Sequence, residues 1–77
     1  MTFSEALNKL KEGHHVKRSG WNGKDQYLVL GDLAWAKDIQ GYIYQSDKAI
    51  IFVGSRGIQI GWLASQADML TDDWEVI

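Results

Sequence analysis

The sequence predicts a single α+β domain: an N-terminal helix packed on a small, mostly antiparallel sheet, with a short second helix near the C-terminus. Three observations support this fold class. Apolar residues recur at helical spacing at the start of the chain, short extended runs separated by turn residues follow Gly13, and a second helix-capping pattern begins at Ser65. We therefore treat residues 1–77 as one domain without repeats or linkers.

The N-terminal helix is predicted from both its ends and its apolar stripe. Thr2 and Glu5 have the spacing of a capping box, and Gly13 is a natural residue to follow a helix C-terminus. The stripe that would face the core consists of Phe3, Ala6, Leu7 and Leu10. The second helix is predicted over 65–70, with Ser65 as N-cap and Asp68 at the third position.

The strands are predicted from alternating or β-branched runs, and the turns from glycine, serine, asparagine and aspartate. The predicted strands are 15–18, 27–30, 42–44, 49–53, 58–62 and 74–77. Turns are predicted at 19–24, where two glycines would supply positive φ, at 45–48, and at 54–57 as a four-residue hairpin loop. The segment 32–37 fits either a single helical turn or a loop.

Charge and composition exclude several classes of function. A net charge of -2 gives no support for general nucleic-acid binding, and no segment has the length and apolar character of a membrane span or signal region. Without cysteine there are no disulfides, which fits an intracellular protein, and the adjacent His14 and His15 would point to opposite sides of a strand and cannot readily share a metal ion. Four tryptophans and three tyrosines favour self-association of so small a domain.

The charges are unevenly distributed along the chain. Residues 1–24 contain five Lys or Arg and two Glu, whereas residues 62–77 contain four acidic and no basic residues. The two ends would therefore pair with each other inside one domain, or each would dock on the opposite end of another subunit.

Catalytic patterns are weak. Ser19 or Ser65 with a histidine has no local signature of a nucleophile and base, and the adjacent Asp72 and Asp73 are typical of a solvated turn. The glycine-rich turn at 19–24 lies between predicted strands and lacks the lysine pattern of a phosphate-binding loop. We expect no enzymatic activity and no cofactor.

Binding is better supported, by two polar clusters. In the first, the turn at Trp21 and Asn22 is flanked by Arg18 and Lys24, a combination suited to stacking on a base and holding phosphate. The alternative is that Trp21 packs in the core and Asn22 only forms the turn. The second cluster lies at the start of the short helix and consists of Ser65, Gln66 and Asp68. Its alternative is ordinary helix capping.

Two stretches resemble a phage protein family, the second class of anti-Thoeris proteins. They are 13–30, with Gly20-Trp21-Asn22-Gly23-Lys24, and the tail from Trp62 to Val76, with Ala64-Ser65-Gln66-Ala67-Asp68-Met69-Leu70. The resemblance implies a sponge that binds glycocyclic ADP-ribose, the Thoeris immune signal, without cleaving it in the cytoplasm of the infected host. It also implies a homotetramer with pockets between subunits. Other cyclic nucleotides, such as cyclic dinucleotides, are an alternative ligand, and inhibition of a host protein is an alternative function.

The resemblance also assigns ligand-binding residues. The matching positions are Trp21, Asn22, Gly23, Ser65, Gln66 and Asp68, with Arg18 and Tyr27 as further contacts. The chain departs from the family at Gly61, where a proline is frequent, and in residues 31–57, which do not align.

Overall fold

The computed structural model describes residues 1–21, 25–32 and 48–77. Within these ranges the elements are α1 (Phe3–Lys11), β1 (Val16–Arg18), β2 (Tyr27–Asp32), β3 (Lys48–Gly54), β4 (Gly57–Ile60), α2 (Gln66–Leu70) and β5 (Trp74–Val76). The five strands form one sheet in the order β4-β3-β2-β1-β5, and every neighbouring pair is antiparallel. The predicted α+β fold is confirmed.

Both helices begin with the capping boxes that their sequences predict. The Glu5 N–H donates to the Thr2 hydroxyl (3.2 Å) and the Thr2 N–H donates to the Glu5 carboxylate (3.0 Å). Ser65 and Asp68 make the same pair of bonds in front of α2. After α1, Gly13 adopts a φ of 95°, which glycine tolerates without steric cost. Neither helix of the described ranges is long and apolar enough to cross a membrane.

The core lies between α1 and one face of the sheet, here called the core face. Its fully buried members are Ala6, Leu10, Val16, Leu28 and Trp74. The register Val16↔Leu28 places these two side chains on the same face, opposite the buried positions of α1. Aromatic and aliphatic side chains that are only partly buried surround them, namely Phe3, Leu7, Trp21, Leu30, Ile50, Phe52 and Trp62.

The other side of the sheet, the outer face, is also apolar at its β2-β3-β4 end. Because side chains alternate along a strand, the register places Val29, Ile51, Val53, Ile58 and Ile60 together on this face. Ile58 and Ile60 keep 65% and 45% of their surface exposed. A sheet that is apolar on both faces exposes more apolar surface than a small monomer usually does.

The β3–β4 hairpin is tighter than the sequence predicts. Gly54 and Gly57 pair with each other, so the loop contains only Ser55 and Arg56 instead of four residues. The prediction missed this because both glycines were counted as turn residues, whereas they end the two strands. The returning strand stops at Ile60 rather than at Trp62, because Gly61 adopts a φ of 83° and leaves the extended conformation.

Other boundaries differ by one or two residues. β2 continues to Asp32, and Lys48 belongs to β3 instead of the predicted turn, because the two residues pair at the end of the β2–β3 ladder. β1 begins at Val16 and β5 ends at Val76. The predicted strand at 42–44, the turn at 45–47 and the alternatives for 33–37 lie outside the described residues.

Removing a buried core side chain should be costly. Leu10→Ala is expected to lower the free energy of unfolding by about 2–5 kcal/mol, because Leu10 is 1% exposed and its loss leaves a cavity. Leu63→Ala is the matched control, because Leu63 is 87% exposed and its truncation should change stability by less than about 0.5 kcal/mol. Urea unfolding followed by tryptophan fluorescence measures both, and equal effects would contradict this description of the core.

Candidate functional site

Trp21 lies at the edge of the core, in contact with three other aromatic rings. Its ring centroid is 5.5 Å from that of Trp74, 5.7 Å from Phe52 and 6.3 Å from Trp62, each in edge-to-face geometry. These contacts fix the orientation of the indole, yet Trp21 is only half-buried. Both predicted roles are therefore compatible with its position: it packs on the core, and part of its ring remains accessible.

Arg18 is bound by two carboxylates. Its Nη1 donates to Asp68 Oδ1 at 2.9 Å, and its Nε donates to Asp73 Oδ1 at 2.9 Å. The exposed fraction of the side chain is 20% for Arg18, 14% for Asp68 and 27% for Asp73. This cluster, the Arg18 clamp, joins β1 to α2 through Asp68 and to the residue that precedes β5 through Asp73. One cation faces two anions, so the clamp has a net negative charge and does not favour a phosphate.

Asp73 was not predicted as a site residue, but it is one of the two carboxylates of the clamp. Besides Arg18, it accepts hydrogen bonds from the Thr71 hydroxyl (3.0 Å) and the Gly20 N–H (3.3 Å). Gly20 does not adopt the positive φ that its turn predicted. A Cβ at this position would lie 3.1 Å from Asp73 Oδ2, so a larger residue would require the Asp73 side chain to shift by a few tenths of an ångström. Glycine therefore accommodates the close contact between the turn after β1 and Asp73, the residue that precedes β5.

Two residues of the second predicted cluster, Ser65 and Asp68, make hydrogen bonds within the protein. The Ser65 hydroxyl accepts from the Asp68 N–H (3.0 Å), and Asp68 bonds both the Ser65 N–H and Arg18. An added anion at this helix start would meet the Asp68 carboxylate. Gln66 is exposed at the first position of α2.

The predicted site residues do not all lie together. Arg18, Ser65 and Asp68 are brought into one network, with Trp21 following in the turn after β1. Tyr27 lies on the outer face, where its ring stacks on His15 at 4.6 Å, because it is one position out of phase with the buried Leu28. Asn22 and Gly23 lie outside the described residues.

Both carboxylates of the clamp have lowered pKa values. Hydrogen bonding by Arg18 is the main cause for Asp73, with a further contribution from Thr71. For Asp68, burial acts to raise the pKa, but hydrogen bonds from Ser65 and Arg18 outweigh it and the pKa is lowered. Lys17 also pairs with Glu75 at 3.7 Å, so the basic and acidic ends of the chain pair within one domain.

No group of three or more metal-ligating side chains converges among residues 1–21, 25–32 and 48–77. In the Arg18 clamp, the guanidinium occupies the position between the two carboxylates.

Comparison with known proteins decides the family. The family model described as the Thoeris anti-defense 2-like domain matches residues 1–77. The chain belongs to the Thoeris anti-defense 2-like family. It is also 40% identical, over 84 aligned residues, to the protein named Thoeris anti-defense 2 from Bacillus phage SP01, with 100% of this chain and 94% of that relative covered. Membership of this family supports an anti-Thoeris function.

The Arg18 clamp should make the protein resistant to acid. A carboxyl group whose folded pKa is lowered stabilises the fold above its unfolded pKa of about 3.9, and that stability is lost as the pH falls through the folded pKa. In Arg18→Gln the pKa values of Asp68 and Asp73 rise, so the acid-unfolding midpoint is expected to move to higher pH. Lys17→Gln is the control, because it removes the same charge from an exposed pair on the same strand. A pH titration by circular dichroism checks this, and identical midpoints for both variants would contradict it.

Proposed function

We propose that this protein sequesters a cyclic ADP-ribose isomer, glycocyclic ADP-ribose, and so withholds the signal from the Thoeris effector without cleaving it. The proposal places the protein in the cytoplasm of the infected bacterial host. The observation that carries it is the half-buried Trp21, held by aromatic contacts in the turn after β1 of a chain that belongs to the Thoeris anti-defense 2-like family.

Trp21 would supply the stacking surface for the adenine of the signal. An indole already fixed by edge-to-face contacts loses little freedom when a base stacks on it, so the binding free energy is not spent on ordering the side chain. Asn22 and Gly23 follow Trp21 in the sequence and are proposed to contact the nucleotide. Arg18 and Asp68 would contribute through the clamp, which holds this turn against α2.

The polar end of α2 would contact the sugar or phosphate groups. Gln66 is exposed at its first position, and the Ser65 hydroxyl retains acceptor and donor capacity beyond its capping bond. Tyr27 faces the other side of the sheet. It would reach a ligand only from a different subunit or on the outer face.

We also propose that the functional form is a homotetramer. The exposed apolar side chains support self-association, particularly Ile58 and Ile60 on the outer face. A domain of this size gains stability when subunits bury such surfaces. Burial between copies would also close pockets that one subunit leaves open to solvent.

Isothermal titration tests the proposed ligand. Purified protein is titrated with glycocyclic ADP-ribose and, in parallel, with cyclic dinucleotides, and the bound ligand is then released by heat and identified by chromatography. Saturable binding with intact recovery of glycocyclic ADP-ribose is expected. If a cyclic dinucleotide binds more tightly, it becomes the proposed ligand in place of glycocyclic ADP-ribose. Recovery of a cleaved product would show that the protein hydrolyses the signal and does not sequester it. No binding of any of these ligands would favour inhibition of a host protein.

Trp21→Leu should separate stacking from packing. Loss of one aromatic stacking surface is expected to weaken binding about 10- to 100-fold, since base–aromatic stacking contributes about 1–3 kcal/mol. Trp62→Leu is the matched control, because Trp62 belongs to the same aromatic cluster and is also half-buried. Calorimetry and thermal unfolding are measured for both. Equal losses of affinity would show that Trp21 acts only through packing.

The outer face should mediate assembly. Ile58→Lys places a charge at a position 65% exposed in the single chain, so it should leave the fold intact and reduce the oligomer to a smaller species. Asn8→Lys makes the same change in charge on the exposed side of α1. Size-exclusion chromatography with light scattering measures the mass. An unchanged tetramer in Ile58→Lys would exclude this face as the interface, and a monomeric wild type would refute the tetramer.

A further inference from the structure

The phosphates of a nucleotide signal require a cation, and the Arg18 clamp does not offer a free one. Arg18 is already bound by Asp68 and Asp73. Among the ion pairs between described residues, none involves Arg56. Arg56 is also the sole charged residue in the sequence from 49 to 67. No carboxylate of the same segment is therefore close in sequence to compete with an anion for its guanidinium.

Arg56 lines a cavity. The cavity has a volume of about 460 Å³ and lies at the β3–β4 hairpin, where its lining includes Gln26, Phe52, Gly54, Arg56 and Gln59. Phe52 and Gln59 are register partners, so their side chains lie side by side on the core face of the sheet. The cavity thus combines an aromatic ring, two carboxamides and one cation.

Gly54 leaves room for the Phe52 ring, which lines this cavity. A Cβ at position 54 would lie 2.9 Å from Cε1 of Phe52, which is closer than atoms can approach without movement. The backbone of Gly54 does not require glycine for its conformation. The absence of a side chain therefore serves the placement of the ring.

One ring that lines the cavity contacts the proposed stacking residue. The Phe52 ring that lines the cavity makes an edge-to-face contact with Trp21, at 5.7 Å between centroids. Because Trp21 and Phe52 are in contact, a ligand with two planar or phosphorylated parts can place one part on Trp21 and the other in the cavity.

We propose that the hairpin cavity binds a phosphorylated nucleoside moiety, with Arg56 on the phosphate, Phe52 against the base and Gln26 and Gln59 hydrogen-bonded to the base edge. Carboxamides suit this role because each offers a donor and an acceptor to an adenine edge. The inference rests on the proposed function and deepens it, because it names residues outside the family motifs as part of the signal-binding site.

The test is titration of glycocyclic ADP-ribose into Arg56→Gln and Gly54→Ala, each in the full chain. Arg56→Gln is expected to weaken binding about 10- to 100-fold, because it removes a charge-assisted hydrogen bond to phosphate. Gly54→Ala should displace the Phe52 ring and weaken binding as well. Lys11→Gln is the control, because it removes the same charge from the exposed last turn of α1. Thermal unfolding and light scattering show whether each variant retains its fold and assembly.

A second measurement locates the ligand in the wild type. Addition of glycocyclic ADP-ribose should shift the backbone amide NMR signals of Gly54, Arg56 and Gln59. If the wild type binds glycocyclic ADP-ribose without these shifts, and Arg56→Gln binds it as tightly as Lys11→Gln does, the cavity assignment is overturned and the proposed function remains intact. A wild type that binds neither glycocyclic ADP-ribose nor a cyclic dinucleotide would overturn both proposals.

Discussion

The burial of Trp74 is the constraint on which the rest of this structure depends. Its indole is 2% exposed, and its ring contacts those of Phe3, Trp21 and Trp62. Its Nε1–H donates to the Asp68 carbonyl at 2.8 Å, so the ring is satisfied as a donor while it fills the core. Its backbone carbonyl accepts from the N-terminal ammonium of Met1 at 2.8 Å. One residue near the C-terminus thus holds the first helix, the second helix and the neighbouring strand β1 together.

The ion pairs near Trp74 fix the relative orientation of the elements that pack around it. Apolar contacts alone are not directional, whereas the Arg18 clamp fixes the turn after β1 against β5 through defined hydrogen bonds. The clamp is partly buried, so the pairing is less screened by solvent than the exposed pair of Lys17 and Glu75. The aromatic cluster contacts this turn at Trp21, and the clamp bonds it at Gly20. Trp21 therefore keeps one orientation although it is only half-buried.

The parts of the structure that follow from local interactions could be predicted from the sequence. The two capping boxes and the Gly13 stop depend on residues within three or four positions of each other, and all are confirmed. Interactions between distant residues escaped prediction. Asp73 lies 55 positions from Arg18, and no local pattern distinguishes its carboxylate from that of Asp72. The face that Tyr27 occupies also depended on strand register, since a shift of one residue reverses every side chain.

The difference between local and long-range interactions also explains which arginine has a positive charge available for a ligand. A sequence motif shows Arg18 beside Trp21, and proximity in sequence predicts that its guanidinium serves the ligand. The fold places two carboxylates on that guanidinium, so its charge is used to hold α2 and β5. A phosphate that approached Arg18 would have to displace a carboxylate that is itself hydrogen-bonded elsewhere. A phosphate that binds Arg56 displaces no carboxylate among the ion pairs between described residues. Binding at Arg56 therefore avoids the cost of breaking an ion pair and the repulsion between a phosphate and two carboxylates. This favours the β3–β4 hairpin over Arg18 as the part of the site that binds an anion.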